Sequence, residues 1–181
     1  DDLWQGGRDR HNNMIPDPVK FPNGIKALAD YVHSKGLKLG IYSDAAPLTC
    51  GGWTASLGFE EQDARTFASW DIDYLKYDYC NAPEDSATAR HRYRTMANAL
   101  QKSGRNIALG ICEWGQRQCE EWCEEVGGQL WRTSYDVRDM WKDITKEGGM
   151  GILDIVNVTA PLAKYVRPGQ WPDMDMLVVG L

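Results

Sequence analysis

Six acids stand in this chain where apolar runs give out: Asp44, Asp78, Glu113, Asp136, Asp173 and Asp175. Two of them follow a cation at short spacing. Lys76 precedes Asp78 by two residues, and Arg132 precedes Asp136 by four. Carboxylates gathered in one place suit two kinds of chemistry. They can hold a hard cation, or they can work as a pair on a glycosidic bond, one attacking or stabilising the anomeric carbon while the other protonates the leaving oxygen. Only three histidines are present (His11, His33, His91), none at the end of an apolar run, which disfavours a zinc or mixed histidine–carboxylate centre. A magnesium site made from carboxylates alone stays open. Eight tryptophans and eight tyrosines offer flat faces for a sugar, although such residues are equally ordinary in cores. Carboxylates, aromatics and scarce histidine together favour the glycoside reading.

Such acids act together only if one scaffold gathers them. From Ile72 onward apolar and polar residues alternate with the period of a strand, which predicts a strand ending at Asp78 before the turn Asn81-Ala82-Pro83. Upstream, 6–18 reads as a loop. A helix follows, from the N-cap Asn23 through Ile25, Leu28, Ala29 and Val32 to the stop at Gly36. A strand over 37–42 leads to Asp44, and a helix over 60–70 precedes the central strand. Downstream come a long helix over 85–103, a strand over 107–112, a short helix over 120–126 and a strand over 130–134. Helical segments over 140–146 and 158–165 precede a final run from Trp171. Alternating strands and helices imply parallel strands with their C-terminal ends at one rim, in a barrel or an open sheet. No Gly-rich phosphate loop opens a helix, which argues against a nucleotide-binding sheet and favours a barrel.

Composition sets the outer bounds. The chain has 181 residues, 43% hydrophobic and 25% charged, which is enough for one globular core. Its net charge of −6 disfavours nucleic acid, whose phosphates need a basic face. No apolar run approaches the roughly 20 residues of a membrane span.

The sequence resembles the retaining α-galactosidases of glycoside hydrolase family 27. The likeness runs through Asp1-Asp2, the stretch 31–42 (YVHSKGLKLGIY), Leu75-Lys76-Tyr77-Asp78, Cys112-Glu113-Trp114 and the stretch 171–177. The resemblance implies an α/β fold, a partial (β/α)8 TIM barrel from about the end of strand 2 to strand 7. Residues 1–181 would then form an incomplete catalytic domain, without the first and last strands and the C-terminal β-sandwich. It implies Asp78 as nucleophile and Asp136 as acid/base. Sugar-binding positions would be Asp1, Asp2, Tyr42, Lys76, Glu113, Arg132 and Asp175. Cys50 and Cys80 match a family disulfide, which fits a secreted, periplasmic or lysosome-like location. The expected substrate is a small or oligomeric α-galactoside, with no cofactor, no metal, no nucleic acid and no membrane as partner.

Lys76 and Arg132 would then bias the two carboxylates. A cation near Asp78 favours its ionised form, whereas the acid Asp136 calls for a less charge-compensated setting. Two rivals keep both catalytic aspartates: an α-N-acetylgalactosaminidase, which in the family has a small residue where Glu113 stands, and a β-L-arabinopyranosidase. A non-catalytic sugar-binding remnant is the reading from another class. Of the other cysteines, Cys119 and Cys123 are four apart on an expected helix, a poor spacing for a bridge.

Overall fold

The computed structural model describes residues 2–176, which fall in two compact units divided between Leu109 and Gly110. In the first unit, β1 (Gln5–Arg8) and β2 (Met14–Pro16) form an antiparallel hairpin where a loop was expected. The Asp9 carboxylate accepts the N–H groups of His11 (2.8 Å) and Asn13 (2.9 Å), and Asn12 takes a φ of +63°, so the chain reverses tightly. Strands this short, one of them holding two glycines, leave no alternation to read. Helix α1 (Gly24–Ser34) buries Ile25 and Ala29 and ends before Gly36, whose φ of +72° suits a residue without Cβ.

Strand β3 (Gly40–Asp44) begins later than its apolar run suggests, because the Leu39 N–H is taken by the Asp73 carboxylate at 3.0 Å. It pairs in parallel with β4 (Tyr74–Asp78), so that Tyr42 faces Lys76 and Asp44 faces Asp78 across the ladder. Helix α2 (Glu60–Ser69) joins the two strands, and α3 (Ser86–Lys102) follows β4. Asp85 caps α3 by accepting the Thr88 N–H at 2.8 Å. Phe67 of α2, Leu75 and Tyr77 of β4, and Tyr93 and Met96 of α3 are fully buried. Tyr77 meets Tyr93 edge-on, with ring centroids 5.8 Å apart. Each such apolar side chain contributes about 1.5–3 kcal/mol on burial, which fixes the strands and therefore their C-terminal ends.

Strand β5 (Ala108–Cys112) carries the division between the units, and its second-unit residues run parallel with β6 (Leu130–Arg132), itself parallel to β7 (Trp171–Asp173), with Ile111 opposite Trp131 and Arg132 opposite Asp173. Helix α4 (Cys119–Val126) buries Cys119, Trp122, Cys123 and Val126, one stripe at helical spacing, and stops at Gly127. Helix α5 (Ile152–Thr159) runs into a 3-10 helix over Ala160–Tyr165 with Pro161 in its first turn.

The helix expected over 140–146 does not form. Trp141 and Ile144 there are 70% and 58% exposed, so the segment has no apolar face to bury. Its backbone is tied into a loop instead: Thr145 N–H donates to the Gly149 carbonyl (2.8 Å), and Asp143 N–H to the Asp154 carboxylate (2.7 Å).

Candidate active site

In the first unit the chemistry sits where β3 and β4 end. Side chains alternate along a strand, so Tyr42 and Asp44 share one face of β3, and Lys76 and Asp78 share one face of β4. Asp78 is 4% exposed. Its Oδ2 accepts the Tyr42 hydroxyl at 2.9 Å, and its Oδ1 accepts the Tyr79 N–H at 3.0 Å. The Tyr42 hydroxyl is pushed well above the usual tyrosine range, first by burial and then by the Asp78 charge, so it stays a neutral donor. The Lys76 ammonium lies 5.6 Å from the centre of the Tyr42 ring, within cation–π range.

Asp44, one of the six acids at the ends of apolar runs but not among the positions the resemblance supplied, is fully buried and belongs to the same group. Its Oδ2 accepts the Cys80 N–H at 3.0 Å. Burial pushes its carboxyl up to about 8; the Asp78 and Asp2 charges add to this, while the Cys80 and Ala46 amides oppose it. The available signal was the parallel register that sets Asp44 beside Asp78. Asp2 is here as well, its Oδ2 accepting the Gly51 N–H at 3.0 Å. Asp1 lies outside the described residues. The expected disulfide is present: Cys50 and Cys80 are bridged with Cα atoms 5.1 Å apart, and the Cys50 sulfur is 3.5 Å from Asp78 Oδ2.

The second unit gathers another group. Arg132, 1% exposed at the end of β6, donates from one terminal nitrogen to Asp136 Oδ1 (2.8 Å) and to Asp175 Oδ2 (2.5 Å). Burial alone would lower the guanidinium's pKa, yet Cys112, Asp175, Asp173 and Asp136 together hold it above its ordinary value. Asp175 takes a φ of +69° and also accepts the Val137 N–H at 2.9 Å, so it ties the loop after β6 to the segment after β7. The Asp136 side chain is 59% exposed. The cation bonded to it, Arg132, is shared with Asp175.

Glu113 follows β5 and is fully buried, its carboxylate paired with Arg117 at 2.5 Å. Arg117 had no signature in the residue pattern. It reaches back because Trp114, Arg117 and Gln118 all take left-handed φ angles. Gly115 completes the turn at φ +73°, where a Cβ would stand 2.3 Å from the Thr133 carbonyl, so only glycine fits. Cys112, Cys119 and Cys123 are unbridged and buried. Burial, with Glu120 and Glu113 nearby, raises the Cys119 thiol well above its usual range, and burial pushes Cys123 up to about 12.

A family model described as Alpha galactosidase A (Melibiase_2) matches residues 1–181. Alpha-galactosidase 2 of Arabidopsis thaliana is 50% identical over 183 residues, covering 99% of this chain and 43% of its own. Alpha-galactosidase A of Cellvibrio japonicus is 48% identical over 183 residues, covering 99% and 45%. The alpha-galactosidase of Saccharomyces cerevisiae solved with raffinose is 36% identical, with a TM-score of 0.92 over 99% of this chain and 43% of the yeast chain. The chain therefore spans less than half the length of each of these relatives. With that likeness, its parallel strands and helices are a partial α/β barrel. The match runs the whole length of the sequence, residues 1–181, and on that ground the chain belongs to the alpha-galactosidase A (Melibiase_2) family.

Proposed function

We propose that this chain carries the catalytic carboxylates of a retaining glycosidase that removes terminal α-D-galactosyl residues. The observation that supports it most is Asp78: a buried carboxylate at the C-terminal end of a barrel strand, with each oxygen held by a neutral donor. Two fixed hydrogen bonds aim the carboxylate, as attack on an anomeric carbon requires. In the first step a bond forms from Asp78 to the anomeric carbon while the glycosidic oxygen leaves with a proton from Asp136. In the second, Asp136 takes a proton from water, which attacks the same carbon and releases Asp78.

The sharing of Arg132 suits Asp136 to both steps. When Asp136 is protonated, the buried guanidinium keeps Asp175 as its counter-charge. When Asp136 is ionised, the same guanidinium stabilises it. A proton can thus come and go without leaving a buried cation uncompensated. Tyr42, Lys76, Asp2 and Asp175 are proposed to meet sugar hydroxyls, and Asp1 shares that role on resemblance only. Glu113 is proposed to fill the space an N-acetyl group would need, which favours the galactoside over the N-acetylgalactosaminide. The raffinose held by the yeast relative is in keeping with an oligosaccharide substrate here. The disulfide supports a location outside the reducing cytosol. Among the described residues no helix is long and apolar enough to cross a membrane.

The stereochemistry of the first product tests the mechanism. Proton NMR during early turnover of the intact protein on a chromogenic α-galactoside should show α-galactose, and initial β-galactose would exclude a nucleophilic Asp78. Parallel assays on the α-N-acetylgalactosaminide and the β-L-arabinopyranoside rank the rival substrates.

A further inference from the structure

Four groups crowd one point at the end of β3 and β4. Ligand atoms of Asp44, Cys50, Asp78 and Cys80 all lie within 4.8 Å of one another. As a disulfide the two sulfurs are saturated and offer a cation nothing. The surrounding carboxylates nonetheless have the layout of a ligand set. Cys50 Sγ is 3.5 Å from Asp78 Oδ2 and 4.0 Å from Asp44 Oδ2. In a tetrahedral zinc site, bonds of about 2.3 Å to sulfur and about 2.1 Å to oxygen place sulfur and oxygen about 3.6 Å apart. Two edges of such a tetrahedron are therefore already close to length.

A second observation points the same way. Asp44 is fully buried, and its Oδ1 has no hydrogen-bond partner among the described residues. An orphaned carboxylate oxygen in an interior is costly, and a cation or a proton relieves it. Cys50, by contrast, is exposed, so a reductant can reach the bridge.

We propose that the Cys50–Cys80 disulfide masks a latent site for a thiophilic divalent cation, which opens when the bridge is reduced. A dithiol reductant gives two electrons and two protons to the bridge. The products are two thiols on the protein and one disulfide on the reductant. The cation then displaces both thiol protons and is held by two thiolates and by the carboxylates of Asp44 and Asp78, a set suited to zinc or cadmium. Occupancy ties up Asp78 Oδ2, so reduction followed by metal would switch off the chemistry proposed above; this consequence rests on Asp78 being the nucleophile, whereas the site itself does not.

The intact protein, reduced with dithiothreitol and desalted without air, is titrated with cadmium while the ultraviolet thiolate-to-metal charge-transfer band is followed. One equivalent should bind after reduction, and the oxidised protein should show no band. Cys50→Ser should remove the band, and Asp44→Asn, which keeps the shape of the site, should weaken binding roughly tenfold or more. If Cys50→Ser fails to fold, Asp44→Asn alone carries the test. No reduction-dependent band, or unchanged affinity in Asp44→Asn, overturns the site. Zinc added to the reduced protein should suppress galactoside turnover, and a chelator should restore it. Bound metal with full turnover would leave the site standing and overturn the nucleophilic role of Asp78.

Discussion

Strand β4 has an acid at each end, and the two are treated in opposite ways. At its foot, Asp73 is wrapped in partners: the cations Arg105 at 2.9 Å and Lys38 at 3.3 Å, the His33 ring Nε2 at 2.7 Å, and the Leu39 N–H at 3.0 Å. Burial would raise the Asp73 carboxyl, but these partners outweigh it and hold it well below the usual range. At the mouth, Asp78 is held by a tyrosine hydroxyl and an amide, and the neighbouring carboxylates of Asp44 and Asp2 crowd in. A buried carboxylate beside further carboxyl groups costs a fold stability, whereas a compensated acid at the foot steadies it. The strand thus spends stability at one end and recovers it at the other, the division expected of barrel enzymes.

The largest expected effect sharpens that contrast at the mouth. Asp78→Asn keeps the size and the Tyr42 contact of the carboxylate but cannot form a glycosyl ester. Galactoside turnover should fall by roughly 10⁴-fold or more, as when a nucleophile is removed elsewhere. Removing the Asp78 charge from beside the Asp44 and Asp2 carboxyl groups should leave the urea midpoint unchanged or higher. A large loss of stability with modest loss of turnover would make Asp78 a structural residue and erase the distinction.

At the foot the reverse is expected. Asp73→Asn strips the counter-charge from Lys38 and Arg105 and weakens the His33 contact, and should cost about 2–3 kcal/mol. Turnover per folded molecule should stay within about twofold, since the residue is a strand's length from the mouth. The pH dependence has a definite sign. Asp73 is depressed in the folded state, so its contribution is complete above the unfolded carboxylate pKa of about 3.9 and is lost as pH falls below it. Asp44 is raised to about 8, so its contribution is complete below the unfolded pKa and is lost as pH climbs through about 8. Urea midpoints at pH 3, 5, 7 and 9 should therefore fall at both ends. Asp73→Asn should flatten the acid limb, and Asp44→Asn, which mimics the protonated acid, the alkaline one. A limb that survives its substitution assigns that titration elsewhere.

These contrasts were only half legible in the residues. Asp78 was readable because β4 alternates cleanly and stops at it, and the helices α2 and α3 because their apolar stripes are long. The hairpin β1–β2 and the loop over 140–151 were not, because each is held by side-chain-to-backbone bonds (Asp9, Asp154) that leave no periodic trace. At the site, family resemblance supplied the Cys50–Cys80 pairing and Arg132 before Asp136. It did not reveal the burial of Asp44, the Arg117 partner of Glu113, or the foot network on Asp73, since these depend on register and on left-handed turns rather than on residue type. That Arg132 would act on Asp136 was expected from the resemblance; that its guanidinium is shared with Asp175 was not, because four residues of separation do not tell how the following loop folds back.

Glu113 is the residue best placed to break the comparison, and its expected effect is the smallest. It follows the C-terminal end of β5, as a functional acid should, yet it is buried and paired with Arg117 in the manner of a foot acid. If position decides, Glu113 sets selectivity: a buried, paired carboxylate is a poor neighbour for an N-acetyl group, whose methyl and amide need room and a neutral surface. Glu113→Ser opens that room and should raise turnover on the α-N-acetylgalactosaminide relative to the α-galactoside by about tenfold, or about 1.4 kcal/mol of discrimination. If compensation decides, the same substitution strands Arg117 and lowers the urea midpoint without moving the ratio. Measuring kcat/KM on both substrates beside the midpoint separates the two. A fixed ratio with a lowered midpoint would mean that pairing, and not place on the strand, marks which acids of this barrel are structural.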